Sequence, residues 1–229
     1  MAAQTPPLPG DVSIEQGKRP PTATKLRILK TAENAFAEHG IDGVSLRQIS
    51  ERSGNKNVMA AQYHFGTRDN LVAEIIEYNT RTLDRIRQRL YREANLDFDS
   101  MTTYQYVRLV IEPFIELKND NGERTFVRFL RALLHHDPYY TIWKEYYARA
   151  PFTDTIYQGL RTSLPTMPDV IWDMRKTMAG KMVVNSTSDF EFYSKKSLID
   201  ETTFLADLIQ VVTATLRAPV GQAGDLALQ

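Results

Sequence analysis

Between positions 55 and 64 the chain sets Asn55, Lys56 and Asn57 ahead of the small pair Ala60-Ala61 and the polar run Gln62-Tyr63-His64. A helix that enters the major groove of DNA, about 12 Å wide, must carry small or polar side chains at its leading end to approach base edges and phosphates. This segment has that composition. An Asn-Lys-Asn run also suits a solvated turn, so the surrounding elements have to discriminate between the two.

Competing chemistries find little support. There is no cysteine, which removes disulfides, thiolate metal sites and Cys nucleophiles together. Of the four histidines, His39 precedes a glycine stop, His64 lies in the polar run, and His135-His136-Asp137 closes a helical stretch. Adjacent histidines point about 100° apart on a helix and chelate poorly. A favourable interaction with the helix C-terminus accounts for them more simply. No Walker loop, dinucleotide fingerprint, nucleophile elbow or zinc helix is present. We therefore expect no catalytic residue, no metal and no cofactor.

The elements that would position the polar run can be read from periodicity and punctuation. Ile28, Leu29, Ala32, Ala35 and Phe36 recur at helical spacing and Gly40 stops them, which predicts a first helix from Thr24. Ser45 with Gln48 three residues on forms a capping box and starts a short second helix, burying Leu46 and Ile49 and ending at Gly54. A third short helix is expected over about 56 to 63. Thr67 then caps a long fourth helix from Arg68 to about Tyr91, with Leu71, Ile75, Ile76, Leu83, Ile86 and Leu90 as its stripe. Helix, glycine-containing turn and short helix over 45 to 64 make the pattern of a helix-turn-helix, whose second helix occupies the major groove.

Six further helices are predicted at about 101 to 118, 122 to 136, 138 to 149, 153 to 163, 168 to 184 and 198 to 216, punctuated by Pro151, Pro165, Pro168 and Pro219. Period-2 runs and hairpin dipeptides are lacking, so the fold class is all-α. Residues 1–21, with five of the eleven prolines, and residues 218–229 are expected to be a flexible arm and tail. The whole chain is 42% hydrophobic, enough to bury a core. No uncharged stretch approaches the roughly 18 apolar residues that span a bilayer, and no apolar signal segment is seen, so we expect no membrane contact and a cytoplasmic location. Charge sums to zero, but residues 1–92 carry net +4 and residues 93–229 net −4. Any attraction to a charged polymer is therefore local.

The run from Thr24 to Val72, with Ile28-Leu29, Ala32, Phe36, Gly40, Ser45-Leu46, Ile49, Gly54, Tyr63-His64-Phe65 and Arg68 to Leu71, resembles the DNA-binding domain of TetR/AcrR-type transcriptional regulators. The resemblance covers about residues 22–78. Gln62 stands where the family commonly has Tyr, and Gly54 to Phe65 is one residue longer than the usual form. The likeness implies an amino-terminal three-helix helix-turn-helix domain, 22–78, joined to a larger helical effector-binding and dimerisation domain, 79–217. It further implies that Tyr63, His64, Thr67 and Arg68 hold phosphates, the last two at the positive end of the fourth helix. Base reading would fall to Asn55, Lys56, Asn57 and Gln62, since amides pair with adenine and Lys with guanine acceptors. Arg47 would touch backbone or an edge base, and Lys18 and Arg19 on the arm would either reach DNA or remain solvated.

Residues 126 to 157 are rich in aromatics. Tyr140, Trp143 and Tyr147 share one helical face, and Phe126, Phe129, Leu130, Leu133 and Leu134 form a stripe on the helix before it. Ordinary core explains them, but the resemblance implies an effector cavity here, and we expect Phe126, Phe129, Leu130, Leu133, Trp143, Tyr147 and Met178 to line it. Arg128, Arg131 or Lys181 would match an anionic group. The resemblance also implies an isologous homodimer through the last helix and the 168–184 segment. The expected function is a ligand-responsive repressor that binds a palindromic double-stranded DNA operator and is released by a small apolar or aromatic effector. The alternatives are a helical small-molecule-binding protein or enzyme whose helix-turn-helix is only structural, and an adaptor regulated by a protein partner.

Overall fold

The structure, a computed structural model, describes residues 21–134, 136–196 and 198–221, and among these there are ten helices and no strand. The expected arm and tail fall almost wholly outside the described residues, as do Lys18, Arg19 and His135.

Local capping fixes the amino-terminal elements. α1 (Ala23–His39) begins where the Thr22 side chain accepts from the Lys25 amide and ends at Gly40, whose φ of 75° suits glycine. α2 (Leu46–Arg52) carries the predicted capping box: Gln48 N–H donates to Ser45 Oγ and Ser45 N–H donates to Gln48 Oε1. α3 is shorter than expected, Ala60–Phe65, because the Asn57 carboxamide accepts from the Met59 amide at 2.9 Å and holds the chain in a turn. α4 (Arg68–Glu93) starts under the Thr67 cap, which accepts from Asn70 N–H. Ile28, Ala32, Phe36, Ile49, Phe65, Leu71 and Ile75 make the core of this part.

The larger part follows with α5 (Thr103–Glu116), α6 (Thr125–Leu133), α7 (Asp137–Ala148), α8 (Pro151–Thr162), α9 (Asp169–Lys195) and α10 (Glu201–Arg217). α6 is shorter than predicted. Asn119 Oδ1 accepts from the amides of Asn121 and Glu123, and Gly122 turns at φ 79°, so the helix starts only afterwards. α9 runs on to Lys195 instead of ending near 184, because Val183, Val184, Thr187 and Phe190 continue its buried stripe with no stop residue. At Gly159 on α8 the Tyr106 ring passes so close that an added Cβ would lie 2.4 Å from it, and that ring is anchored by its hydroxyl donating to Phe98 O.

The two parts share α4 and a seam in which α1 packs chiefly on α6. Phe36 meets Phe129 there, with ring centroids 6.3 Å apart. Beside the seam the Glu33 carboxylate accepts from Thr125 Oγ1 and from Asn79 Nδ2, both at 2.7 Å, and ties α1 to α6 and α4.

Candidate nucleic-acid interface and inner cavity

α3 is presented by α2 through one buried hydroxyl. Ser50 Oγ accepts from the Ala61 amide at 2.9 Å, satisfying one of the free amides at the start of α3, and donates to Leu46 O. Ala60 and Ala61 are buried against α2. They therefore permit close approach of α2, not of DNA as the sequence suggested.

The opposite side of α3 is open. Tyr63 is 83% exposed, an unusual state for a ring of that size, and Gln62, Lys56 and Asn57 are exposed around it. His64 is half-buried and meets Tyr63 edge to face at 5.3 Å. Val58 and Met59 are also exposed at this edge, a feature the sequence reading did not single out, and apolar side chains there suit thymine methyl groups.

Lys56 and Asn57 precede α3 instead of lying on it, so they belong to the turn that leads into the helix. Asn55 departs further from its expected role. Its Nδ2 donates to Ser53 Oγ at 2.6 Å and its Oδ1 accepts from Arg27 Nη2 at 3.1 Å, so both ends of the amide are engaged inside the protomer. Arg47 is exposed on α2 and pairs with Glu51 at 3.0 Å. Thr67 spends its oxygen on the α4 cap, and Arg68, at the first position of α4, pairs with Asp42 at 3.0 Å. Asp69 accepts from the Tyr139 hydroxyl at 2.7 Å, a link from α4 to α7, and burial together with this bond pushes the phenol up to about 12.

A cavity of about 330 Å³ opens between α5, α7, α8, α9 and α10. Trp143 and Tyr147 line it as expected. Val107, Phe114, Tyr140, Tyr157, Trp172, Val183, Val212 and Leu216 supply most of the remaining wall. Phe126, Phe129, Leu130 and Leu133 do not reach it. They are buried core of α6, with Phe129 meeting Phe36 of α1 and Phe126 backing Trp143 at 5.9 Å. Met178 lies on the exposed side of α9. Of the cations considered for an anionic group, Arg128 lies within 4 Å of Glu123 and Glu191, Arg131 pairs with Asp189, and Lys181 sits over the Tyr140 ring. A second cleft of about 600 Å³ lies between α1, α4 and the α5–α6 turn; its walls mix apolar side chains with polar groups that pair with one another, as in Lys30 with Asp120.

Among the described residues there is no cluster of three or more His, Asp or Glu able to hold a metal, and no helix is long and apolar enough to cross a membrane.

Comparison with known proteins agrees with this geometry. Residues 28–75 match the family of bacterial regulatory proteins, tetR family. The HTH-type transcriptional repressor AcnR of Corynebacterium glutamicum is 38% identical over 60 residues, a stretch that is 26% of this chain and 31% of that repressor. Two crystal structures share the fold across most of both chains. One is assigned to the TetR transcription regulators of Shewanella sp. PV-4, at 14% identity, covering 83% of this chain and 96% of that one with a TM-score of 0.60. The other, from Rhodococcus sp., is 16% identical, covers 85% and 100%, and has a TM-score of 0.57.

Proposed function

We propose that this chain, whose residues 28–75 match the tetR family and whose all-helical fold is shared with structures assigned to it, is a DNA-binding transcriptional regulator acting as a ligand-responsive repressor. The observation that carries the reading is the open face of α3, where Gln62 and Tyr63 stand clear of the protomer beside the capped start of α4. Tyr63, His64 and Arg68 position the backbone, and Lys56, Asn57 and Gln62 meet base edges. No catalytic role is proposed. The protein acts in the cytoplasm, where its operator lies.

The protein works as a homodimer. Val170, Met174, Met178 and Phe192 are exposed at helical spacing along one face of α9, an apolar strip that a free monomer has little reason to keep. Twofold pairing through α9 and α10 would set two α3 helices about 34–36 Å apart, or a multiple of it, on a palindromic operator.

A small apolar or aromatic effector in the 330 Å³ cavity releases the DNA. Ring contacts lead from the cavity wall to the reading domain: Trp143 to Phe126 at 5.9 Å, Phe126 to Phe129 at 6.0 Å, and Phe129 to Phe36 at 6.3 Å. An effector weakens DNA binding only by preferring the arrangement that does not fit the operator, with coupling of about 1–3 kcal/mol.

The test is to sequence genomic fragments retained by the purified protein and then to screen small molecules for release. We expect a recurring inverted repeat whose affinity falls steeply with salt through counterion release. Turnover of a ligand with no retained DNA would select a helical ligand-binding protein or enzyme instead.

A further inference from the structure

One buried cation stands directly behind the cavity wall. Arg87, on α4, has no exposed surface, and its guanidinium lies 5.1 Å from the Tyr147 ring centre and 5.6 Å from that of Phe114, two rings that line the cavity. Its Nη2 donates to the Tyr147 hydroxyl at 2.7 Å and to Val110 O at 3.4 Å, while Nε and Nη1 have no hydrogen-bond partner. Asp84, three residues earlier on α4, is committed elsewhere. It accepts from the Thr153 amide and hydroxyl at 2.8 and 2.6 Å and from the Phe152 amide at 3.4 Å. The Asp84 carboxylate is thus near Arg87 but not in a direct ion pair with it; a buried guanidinium lacking a direct counter-ion is costly, and a bound anion would relieve part of that cost.

Tyr147 links this charge to the cavity wall. A phenolic oxygen has two acceptor sites and one proton. Arg87 occupies one acceptor site, and the Tyr157 ring lies 5.9 Å from that of Tyr147. Among the described residues no acceptor takes the Tyr147 proton, which is left to donate, strengthened by the Arg87 donor behind it. Burial pushes Tyr157 well above the usual phenol range and Tyr147 upward as well, although Arg87 pulls the latter back, so both rings stay protonated. The charged groups on the cavity wall itself are Lys144, Lys176 and Asp154. Asp154 accepts from Gln158, Lys176 holds Asp173, and Lys144 lies over the Tyr140 ring.

We infer that the cavity takes an anionic amphiphile, an aromatic or aliphatic carboxylate, whose head group accepts a hydrogen bond from the Tyr147 hydroxyl that Arg87 polarises. The inference rests on the ligand-responsive reading above and supplies the chemical class of the ligand.

Both tryptophans of the chain, Trp143 and Trp172, line this cavity, so intrinsic fluorescence reports on its occupant. The full-length protein is titrated with naphthalene-2-carboxylate, naphthalene-2-carboxamide and 2-methylnaphthalene. The carboxylate should bind at least about tenfold more tightly than the amide, the margin a charge-assisted hydrogen bond provides. Arg87→Met and Tyr147→Phe should each bring the two near parity, lowering carboxylate affinity relative to that for 2-methylnaphthalene. Thermal melts confirm folding, and Tyr147→Phe carries the test alone if Arg87→Met does not fold. Equal binding of amide and carboxylate, or a preference that survives Tyr147→Phe, overturns the inference but leaves the cavity a ligand site. Absence of binding by all three probes overturns both.

Discussion

Phe36 of α1 and Phe129 of α6 face one another with ring centroids 6.3 Å apart, and neither ring has any exposed surface. The contact lies in the α1–α6 seam and continues through Phe126 to the cavity wall at Trp143. Packed interiors respond to a displaced ring by moving its neighbours, since they contain little free volume. Phe129→Leu should therefore weaken the link between ligand and DNA binding. Ligand-induced release, measured as the ratio of operator affinities with and without ligand, should fall severalfold, with stability reduced by roughly 1–2 kcal/mol for the smaller side chain. An unchanged ratio in a folded variant would place the coupling elsewhere.

Arg68 is held by Asp42 at 3.0 Å, so a phosphate reaching the start of α4 must displace a carboxylate. Partly exposed pairs of this kind are worth about 0.2–1 kcal/mol. Asp42→Asn should tighten operator binding by up to about fivefold, and Arg68→Ala should weaken it on every sequence. Fluorescence anisotropy on specific and scrambled duplexes would check both, and looser binding by the Asn variant would contradict the competition.

Gln62 and Asn55 should behave differently although both are amides in or close to α3. Gln62 is exposed on α3, whereas the Asn55 amide is tied to Arg27 and Ser53. Gln62→Ala should change sequence preference at one base step per half-site, by about 1–3 kcal/mol. Asn55→Ala should leave preference alone and lower stability slightly. Selection of binding sites from random duplexes separates the two outcomes.

Glu33 makes stability depend on pH. Burial raises its pKa above the ordinary value of 4.5, opposed by hydrogen bonds from Thr125 and Asn79 and by the nearby Lys30. The native state therefore holds this proton more tightly than the unfolded chain does. Below 4.5 the group is protonated in both states and its contribution is fully present; as pH rises through the raised native value that contribution is lost. Urea midpoints across this range should show the decline in the wild type, and Glu33→Gln should remove that part of it.

Gly159→Ala tests the tight crossing of α8 over Tyr106. The new methyl would overlap the ring, which cannot retreat without breaking its bond to Phe98 O. A loss of about 1–3 kcal/mol in thermal or urea unfolding is expected, despite the better helix propensity of alanine.

What the sequence could disclose depended on the range of the interaction. Thr67 and the Ser45–Gln48 box satisfy amides within three residues, so the starts of α2 and α4 were readable from the chain alone. The start of α3 was not, because the Asn57 side chain competes for the backbone and nothing in residue type says which conformation wins. Helical periodicity marked both Phe126-Phe129 and Trp143-Tyr147 as buried faces, yet it carries no information on which face meets a void and which meets another helix. Only Trp143 and Tyr147 turned out to line the cavity. Arg87 and Asp84 escaped notice because charged residues within an amphipathic helix are normally assigned to solvent.

The α1–α6 seam also limits how the two parts can be recombined. A chimera that joins residues 22–78 to an unrelated ligand-sensing half would leave Phe36 and Glu33 without the ring and the hydroxyl they meet in α6. Transplanting the amino-terminal part therefore requires carrying the matching surface of α6 with it, or grafting only the exposed side chains of α3 onto a host that keeps its own interior.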